Sequence, residues 1–419
     1  MFKFLHTADI HLDSPLKGLE SYGDAPVAEI RGASRRAFDN LVACAIDEEV
    51  DFILIAGDLY DGEWKDYNTG LFFVNRMGRL RRAGIRVFIV AGNHDAASHT
   101  TRTLPLPDNV NLFSAKKAET KLLDELKVAI HGRSYPARAV SDNLALQYPA
   151  KHAGYFNIGL LHTALTGRVG HEPYAPCALD DLRARAYDYW ALGHVHQPEV
   201  VARDPWIIFP GIIQGRHIRE VGAKGAALVT VEEGRVTAVE QREFDVLRWA
   251  LGRVDVSACT TVDAVFGQVR QAIEAERMAG DGRPLAMRLI LAGVCTVHAE
   301  LIDRSARLIE ELRGVAAASG EVWLEKVLVQ TRRGTELAAV VGRDTALAGL
   351  LRTLDDLPLR AEALFALVPE LAALKSRLPI ELFEGDEPFL APIPEQIEAL
   401  RAEVKELLGA RLLRHGDQG

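Results

Sequence analysis

Apolar residues over the first 245 positions fall into short runs, and five of these runs lead into polar side chains able to bind a metal. Phe2 to Leu5 leads into Asp9-Ile-His11, where a period of two puts both side chains on one side of the strand. Ile53-Leu-Ile-Ala-Gly-Asp58 and Val87-Phe-Ile-Val-Ala-Gly-Asn93 repeat one another: an apolar strand, a small residue, a glycine, then a polar ligand. Leu160-Leu-His162 and Ala191-Leu-Gly-His194-Val-His196 complete the set. Continuous apolar runs of this length predict parallel strands buried on both faces. In an α/β fold, loops leaving the carboxyl ends of such strands gather ligands and catalytic groups.

Helical periodicity fills the gaps. Ser34 is the predicted N-cap of a helix to Val50, with Ala37, Phe38, Leu41, Val42, Ala45 and Ile46 as one apolar stripe. A second helix, Asn68 to Ala83, presents Leu71, Phe72, Val74 and Leu80, and Gly84 stops it before a strand over 85–91. After His196, Trp206-Ile-Ile-Phe, Gly225-Ala-Ala-Leu-Val-Thr-Val and Arg235-Val-Thr-Ala-Val read as short strands with no helices between them, forming a meander or second sheet packed on the first. Beyond about 250, a helix over 261–278, a strand over 285–291, a helix over 298–314 and a strand over 322–330 predict a separate α-β-α-β unit. Residues 343 to 414 read as mainly helical, interrupted by the Pro-rich acidic stretch from Glu384 to Pro394. Within 394–414, Ile397, Leu400, Val404, Leu407 and Leu408 form a stripe that either closes the protein's own core or docks on another chain. The predicted fold class is α/β, with layered sheets flanked by helices over 1–245, a small α/β domain over 250–335 and a helical region over 343–419.

Composition narrows the function classes. With 419 residues, 48% hydrophobic and 26% charged, the chain can build two or three compact units and is not wholesale disordered. Cys44, Cys177, Cys259 and Cys295 show no CxxC spacing and read as reduced, buried thiols of an intracellular protein. No leader precedes the strand at Phe2 and no apolar run reaches membrane-span length, so a soluble cytoplasmic protein without a membrane role is expected. Net charge is −9, which gives no bulk attraction for nucleic acid. Cations are local: Arg31, Arg35 and Arg36; Arg79, Arg81, Arg82 and Arg86; Arg216, His217 and Arg219. The first two clusters read as solvated helix faces, whereas the third lies close in sequence to the ligand motifs.

Carboxylate, amide and imidazole donors without thiolate suit Mn²⁺, Fe²⁺ or Zn²⁺. Asp58 is the sensible bridging ligand, since a carboxylate shares its oxygens between two cations and an imidazole does not. Two ions roughly 3.5–4 Å apart favour in-line displacement at a phosphoester. His94 is surplus to the ligand count and is placed to stabilise charge or protonate the leaving oxygen, with Asp95 to orient it. His6, His99, His131, His152, His171, His298 and His415 lack a comparable setting and read as structural. Tyr60, Tyr135 and Trp190 read as packing residues.

The order Asp9-x-His11, Gly57-Asp58, Gly92-Asn93-His94-Asp95, His162 and Gly193-His194-x-His196 closely resembles the calcineurin-like metallophosphoesterase superfamily over residues 1–245. The opening His6-Thr-Ala-Asp-Ile-His-Leu-Asp13, the turn Gly57-Asp-Leu-Tyr-Asp61 and Pro210-Gly-Ile-Ile-Gln-Gly-Arg-His-Ile-Arg-Glu220 resemble its DNA repair exonuclease branch, SbcD-like and, in the last segment, YhaO-like. That resemblance implies a layered metallophosphoesterase sheet sandwich. It implies one ion held by Asp9, His11, Asp58 and His196, a second by Asp58, Asn93, His162 and His194, His94 as catalytic histidine, and Mn²⁺ as the activating metal. It further implies that 250–335 is a capping domain that helps grip DNA and that the C-terminal helices bind the coiled-coil base of an ABC-type ATPase; a homodimer is compatible with it. Some family members carry histidine where this chain has Asp61, three residues after the bridging aspartate, which leaves the mode of cleavage open.

The expected activity is therefore two-metal DNA phosphodiester hydrolysis, a 3′-to-5′ exonuclease with some endonuclease capacity in end processing, with Arg216, His217 and Arg219 as the DNA contacts. Its rivals are a phosphatase or nucleotide phosphodiesterase acting on a small molecule, and a DNA-tethering scaffold whose nuclease activity is vestigial.

Overall fold

A computed structural model of the chain describes residues 1–16, 32–61, 67–96, 105–165, 175–333, 346–356, 401, 404 and 405. Arg31, His99, His171, His415 and the stripe-forming Ile397, Leu400, Leu407 and Leu408 lie outside these residues, as does the Pro-rich acidic stretch. Two compact units divide the chain. One comprises Met1–Val254, Val265–Leu291 and Ser305–Val329; the other comprises Asp255–Ala264, Ala292–Arg304 and Gln330–Gly419.

The first unit is built on two six-stranded sheets. In one, β1 (Phe2–Thr7), β2 (Phe52–Ala56), β3 (Arg86–Val90) and β4 (Val110–Leu112) run parallel, and an antiparallel hairpin, β11 (Gly225–Glu232) and β12 (Arg235–Glu243), adds to the free edge of β1. In the other, β6 (Val128–Gly132), β7 (Phe156–His162), β8 (Tyr189–Gly193) and β10 (Trp206–Phe209) are parallel, flanked by antiparallel β5 (Glu119–Leu123) and β9 (Glu199–Arg203).

Alternation along each strand explains why the apolar runs are unbroken. Leu5, Ile53, Ile55, Val87 and Ile89 face a cluster with Ala37, Phe38, Leu41, Val42 and Ala45 of helix α1 (Ala33–Asp47) and Phe73, Met77 and Leu80 of helix α2 (Asn68–Arg82). Their neighbours Phe4, Phe52, Leu54, Phe88 and Val90 face the other sheet and meet Val128, Ile130, Ile158, Leu160 and Tyr189. Both faces of β1, β2 and β3 are therefore buried, and a one-residue slip would exchange the two cores. His6 joins the sheets directly. Its Nε2 donates to the Leu192 carbonyl (3.1 Å) and its Nδ1 faces the Tyr189 hydroxyl (3.0 Å), while burial holds its pKa down at about 3.

Three local expectations are corrected. Ser34 lies inside the first turn of α1, where its hydroxyl accepts the Asp13 N–H, and Gly32 takes the cap position. That helix stops at Asp47 instead of Val50, because Glu49 takes a left-handed φ of 53°. The runs at 206, 225 and 235 do not form one meander. Trp206–Phe209 joins the second sheet, whereas Gly225–Glu232 continues both cores of the first, with Ala226 and Leu228 on the helix side and Ala227, Val229 and Val231 between the sheets.

A three-stranded sheet has the order β13 (Arg248–Asp255), β14 (Leu285–Cys295), β15 (Val322–Arg333). Helix α5 (Val262–Ala279) follows the short helices α3 (Asn93–Ala96) and α4 (Leu179–Arg183), and buries Val265, Val269 and Ile273. The helix expected over 298–314 is broken at Arg304 into α6 (His298–Asp303) and α7 (Ser305–Ala318). In the second unit, α8 (Ala346–Asp356) is helical as expected. No helix among the described residues is long and apolar enough to cross a membrane.

Gly159 in β7 tests how tightly the outer core is packed. A methyl group there would run into the six-membered ring of fully buried Trp190, a rigid obstacle flanked by Tyr148 and Tyr187. Gly159→Ala should destabilise the protein by about 1–3 kcal/mol, the usual cost of overpacking a well-filled core. A thermal melt reads this; an unchanged midpoint would mean that the Trp190 layer yields freely.

Candidate metal centre

All five ligand segments end at the same place. β1, β2 and β3 of one sheet and β7 and β8 of the other present their carboxyl ends together, which brings Asp9, His11, Asp58, His162 and His196 into one cluster, with Asn93 and the His194 ring beside His162. Donor atoms of Asp9, His11 and His196 lie within 4.8 Å of one another; so do those of Asp9, Asp58 and His162, and those of His11, Asp58 and His94.

The backbone is bent to achieve this. Asp9 (φ 49°), His11 (45°), Asp58 (52°) and His194 (101°) all take positive φ, a conformation that costs a residue with a side chain of order 1–3 kcal/mol and persists where the surroundings fix it. Inter-loop hydrogen bonds do the fixing: Asp9 N–H to the Gly57 carbonyl (2.9 Å), His11 N–H to the Asp58 carbonyl (3.0 Å) and Leu12 N–H to the Leu59 carbonyl (3.0 Å). The glycines before the ligands are also required sterically. A Cβ on Gly57 would strike the His162 ring, and one on Gly193 would strike the Ala56 carbonyl oxygen.

Each central carboxylate is held by one oxygen and offers the other. Asp9 Oδ2 accepts the His194 N–H (2.9 Å), leaving Oδ1 3.8 Å from His196 Nε2. Asp58 Oδ1 accepts the His94 N–H (2.9 Å), leaving Oδ2 3.9 Å from His11 Nε2 and 3.5 Å from His162 Nε2. Asp9 Oδ1 and His11 Nε2 are buried with no hydrogen-bond partner, the state of ligand atoms and not of settled core polar groups.

Charge and tautomer point the same way. Burial, followed by the adjacent Asp58 carboxylate, pushes Asp9 well above the usual carboxylate range. Burial raises Asp58 to about 6 in spite of the nearby His94. Burial likewise holds His162 down at about 3 and His11 well below its ordinary value, keeping both neutral as ligands must be. His162 Nδ1 donates to the Ala56 carbonyl at 2.8 Å, so the neutral ring turns the Nε2 lone pair toward Asn93 Oδ1, 2.9 Å away. Two acceptors at that separation suit a shared cation: donors about 2.1 Å from one ion and at right angles stand about 3.0 Å apart. The residues present therefore fit a pair of divalent ions.

Two expected roles change. Asp95 does not orient His94: its carboxylate accepts the backbone N–H groups of Leu59 (3.2 Å), Tyr60 (2.9 Å) and Gly92 (3.0 Å), tying the second and third ligand loops together. Burial and then the Asp58 charge raise Asp95 to about 7. The carboxylate beside His94 is Asp61, whose Oδ1 lies 3.3 Å from His94 Nδ1 and 3.2 Å from His11 Nδ1. Arg216 is not a free phosphate contact either. Its guanidinium lies between Asp61 (3.5 Å) and Glu220 (3.4 Å), with a side chain only 16% exposed. His217 Nε2 is 3.6 Å from Glu220, and Arg219 alone of that cluster is exposed. Glu220 itself was missed; it is buried with Oε1 2.6 Å from His196 Nδ1, and its distance of 24 positions from that histidine gives no periodic signal.

Residues 2–198, which include every candidate ligand, match the family described as calcineurin-like phosphoesterase, and residues 249–332 match the description metallophosphoesterase YhaO, middle domain. The chain is 39% identical over 294 residues to the uncharacterized metallophosphoesterase YhaO of Bacillus subtilis (strain 168), covering 69% of this chain and 71% of that one. More distant similarity reaches proteins named DNA double-strand break repair protein Mre11. Identity is 27% over 257 residues with that of Sulfurisphaera tokodaii, covering 58% of this chain and 63% of the relative. It is 26% over 272 residues with that of Halobacterium salinarum, covering 62% and 65%. With the ligand-bearing strands inside the matched region and the Bacillus relative aligned over more than two thirds of both sequences, the chain belongs to the calcineurin-like metallophosphoesterase family.

Proposed function

We propose that this metallophosphoesterase is a two-metal DNA phosphodiesterase that processes ends, a 3′-to-5′ exonuclease with endonuclease capacity, activated by Mn²⁺. The observation that carries the hydrolytic chemistry is the convergence of Asp9, Asp58 and the four histidines His11, His162, His194 and His196 with a partly exposed His94 at the edge of the cluster. The similarity to Mre11-named repair proteins supports the DNA substrate. In the same reading, residues 250–335 cap the site and grip DNA, residues 343–419 engage a coiled-coil ABC-type ATPase, and the protein works in the cytoplasm.

When bound by this donor set, two divalent ions would supply the positive charge that eases ionisation of water near neutral pH and offsets the charge of a phosphoryl group. The chain's own residues hold the geometry. Asp9 and Asp58 each keep one oxygen on a backbone N–H, so the other stays aimed at the centre. The His94 backbone N–H bonds to Asp58, which fixes the start of its loop, while Asp61 Oδ1 lies 3.3 Å from His94 Nδ1, where its charge would favour a ring that delivers a proton from Nε2 to the leaving oxygen. A second reading, hydrolysis of a small phosphodiester or nucleotide, is favoured by one finding: Arg216 is engaged by carboxylates and not displayed to a polyanion. Incubation with Mn²⁺ and end-labelled single- and double-stranded DNA, beside a chromogenic phosphodiester, separates the two readings. Release of nucleotides from 3′ ends is expected; turnover of the small ester with intact DNA would establish the second.

Two variants follow from the site. Asp58 has a folded pKa near 6 against 3.8 unfolded, so its ionised form destabilises the metal-free fold at pH 7, and that penalty shrinks as pH falls through about 6 and is gone below about 4. Asp58→Asn removes that ionised group and should raise metal-free stability by about 1–3 kcal/mol, the free energy that corresponds to the difference between its two pKa values. The same variant should lose the stabilisation that Mn²⁺ gives the wild type. Melts with chelator and with Mn²⁺ measure both; an unchanged Mn²⁺ response would remove Asp58 from the ligand set. His94→Ala should keep both ions while turnover drops by roughly 10²–10⁴-fold. Loss of metal in that variant, read by elemental analysis, would instead make His94 a ligand.

A further inference from the structure

The histidines of the two halves of the centre are backed by different chemistry. His162 donates from Nδ1 to a neutral group, the Ala56 carbonyl. His196 faces a carboxylate, Glu220 Oε1 at 2.6 Å, and His11 faces Asp61 Oδ1 at 3.2 Å. Glu220 is only 6% exposed, and its second oxygen accepts the Arg216 N–H at 2.6 Å. The Arg216 guanidinium then spans the pair, with Nη2 3.4 Å from Glu220 and Nη1 3.5 Å from Asp61, whose other oxygen accepts the Ser14 hydroxyl at 2.8 Å.

We propose that Glu220, held in place by Arg216, is a positioning residue that fixes the tautomer of His196. A neutral imidazole has two tautomers, and only the one protonated at Nδ1 offers Nε2 as a lone pair. Nε2 is the nitrogen that faces Asp9 Oδ1. Arg216 Nη2 also comes within 3.5 Å of His196 Nδ1, and His217 Nε2 within 3.6 Å of Glu220 Oε1. The guanidinium only donates, so it cannot accept the Nδ1 proton; the much shorter contact to Glu220 takes it. Carboxylate partners of this kind orient ligand histidines and raise their basicity, and their loss commonly weakens metal binding 10–100-fold. The cluster that sequence proximity suggested for DNA is thereby assigned to the metal centre, with Arg216 neutralising two buried or half-buried carboxylates. This inference rests on the two-metal reading for its consequence, but its core concerns the metal-free protein.

The test uses the full chain labelled with ¹⁵N-histidine and stripped of metal. The imidazole signals of His196 are identified by their loss in His196→Gln, and the tautomer is read from the nitrogen shifts and couplings. In the wild type His196 should be protonated at Nδ1 alone; in Glu220→Ala the two tautomers should mix. Calorimetric titration with Mn²⁺ should then show one of two sites weakened about 10–100-fold and the other unchanged. Glu220→Gln, which keeps the volume, carries the same test should the alanine variant fail to fold: it retains one acceptor oxygen for two donors and should shift tautomer and affinity in the same direction by less. A folded variant with the wild-type tautomer and both affinities intact would overturn the role of Glu220. A wild type that binds no Mn²⁺ would overturn the two-metal reading instead, and the tautomer measurement would still decide Glu220.

Discussion

Three carboxylates, Asp9, Asp58 and Asp95, are buried together among the histidines of the cluster, and the architecture around them exists to hold that unfavourable arrangement in one geometry. An ordinary core would expel such groups or protonate them. Here each has a fixed assignment. Asp95 directs its carboxylate to three backbone N–H groups and behaves as a structural tie between loops. Asp9 and Asp58 each bond one N–H and keep an oxygen for the centre. Burial resists ionisation of both, so a bound cation gains twice: it supplies charge to two anions and it relieves their mutual repulsion.

Holding donors from separate sheets to this precision requires the sheets themselves to be fixed. The alternation that sends Phe4, Phe52 and Leu54 inward and Leu5, Ile53 and Ile55 toward α1 and α2 locks strand register, because slippage would exchange two differently shaped cores. His6 adds a directional constraint. It spans from β1 to Tyr189 and Leu192 on β8, the strands that deliver Asp9 on one side and His194 and His196 on the other. A residue that reads as an isolated structural histidine thus sets the spacing of the ligands three positions along its own strand and two along its partner's.

The strands that lead into the candidate ligands were legible because apolar runs are local features, and parallel strands bring their carboxyl ends together; the period of two expected for Asp9 and His11 does not hold, because β1 ends at Thr7 and both residues lie beyond it with positive φ. Helix α1 was legible as a stripe but not at its ends, since a left-handed Glu49 and a hydroxyl diverted to Asp13 depend on neighbouring loops. The runs from 206 to 243 were legible as strands but not in their sheet assignment, because nothing in their spacing tells which of two stacked sheets has an open edge. Asp61 and Glu220 illustrate the harder limit. Each acts through Nδ1 of a histidine supplied by a different loop, 50 and 24 positions away, so the pairing exists only after folding.

Arg216 shows why charge read along a chain misleads. Next to His217 and Arg219 in sequence it looks like part of a basic patch; in space it lies between Asp61 and Glu220 and is largely covered. A guanidinium so placed has little left to offer a phosphate, and it does more by allowing two carboxylates to remain charged beside the centre: burial pushes both upward, yet the adjacent rings of His11 and His196, with Arg216 close by, hold both below the ordinary carboxylate range. In a chain of net charge −9, attraction for a phosphodiester is then concentrated where the ligand set gathers cations and is not spread over a basic surface.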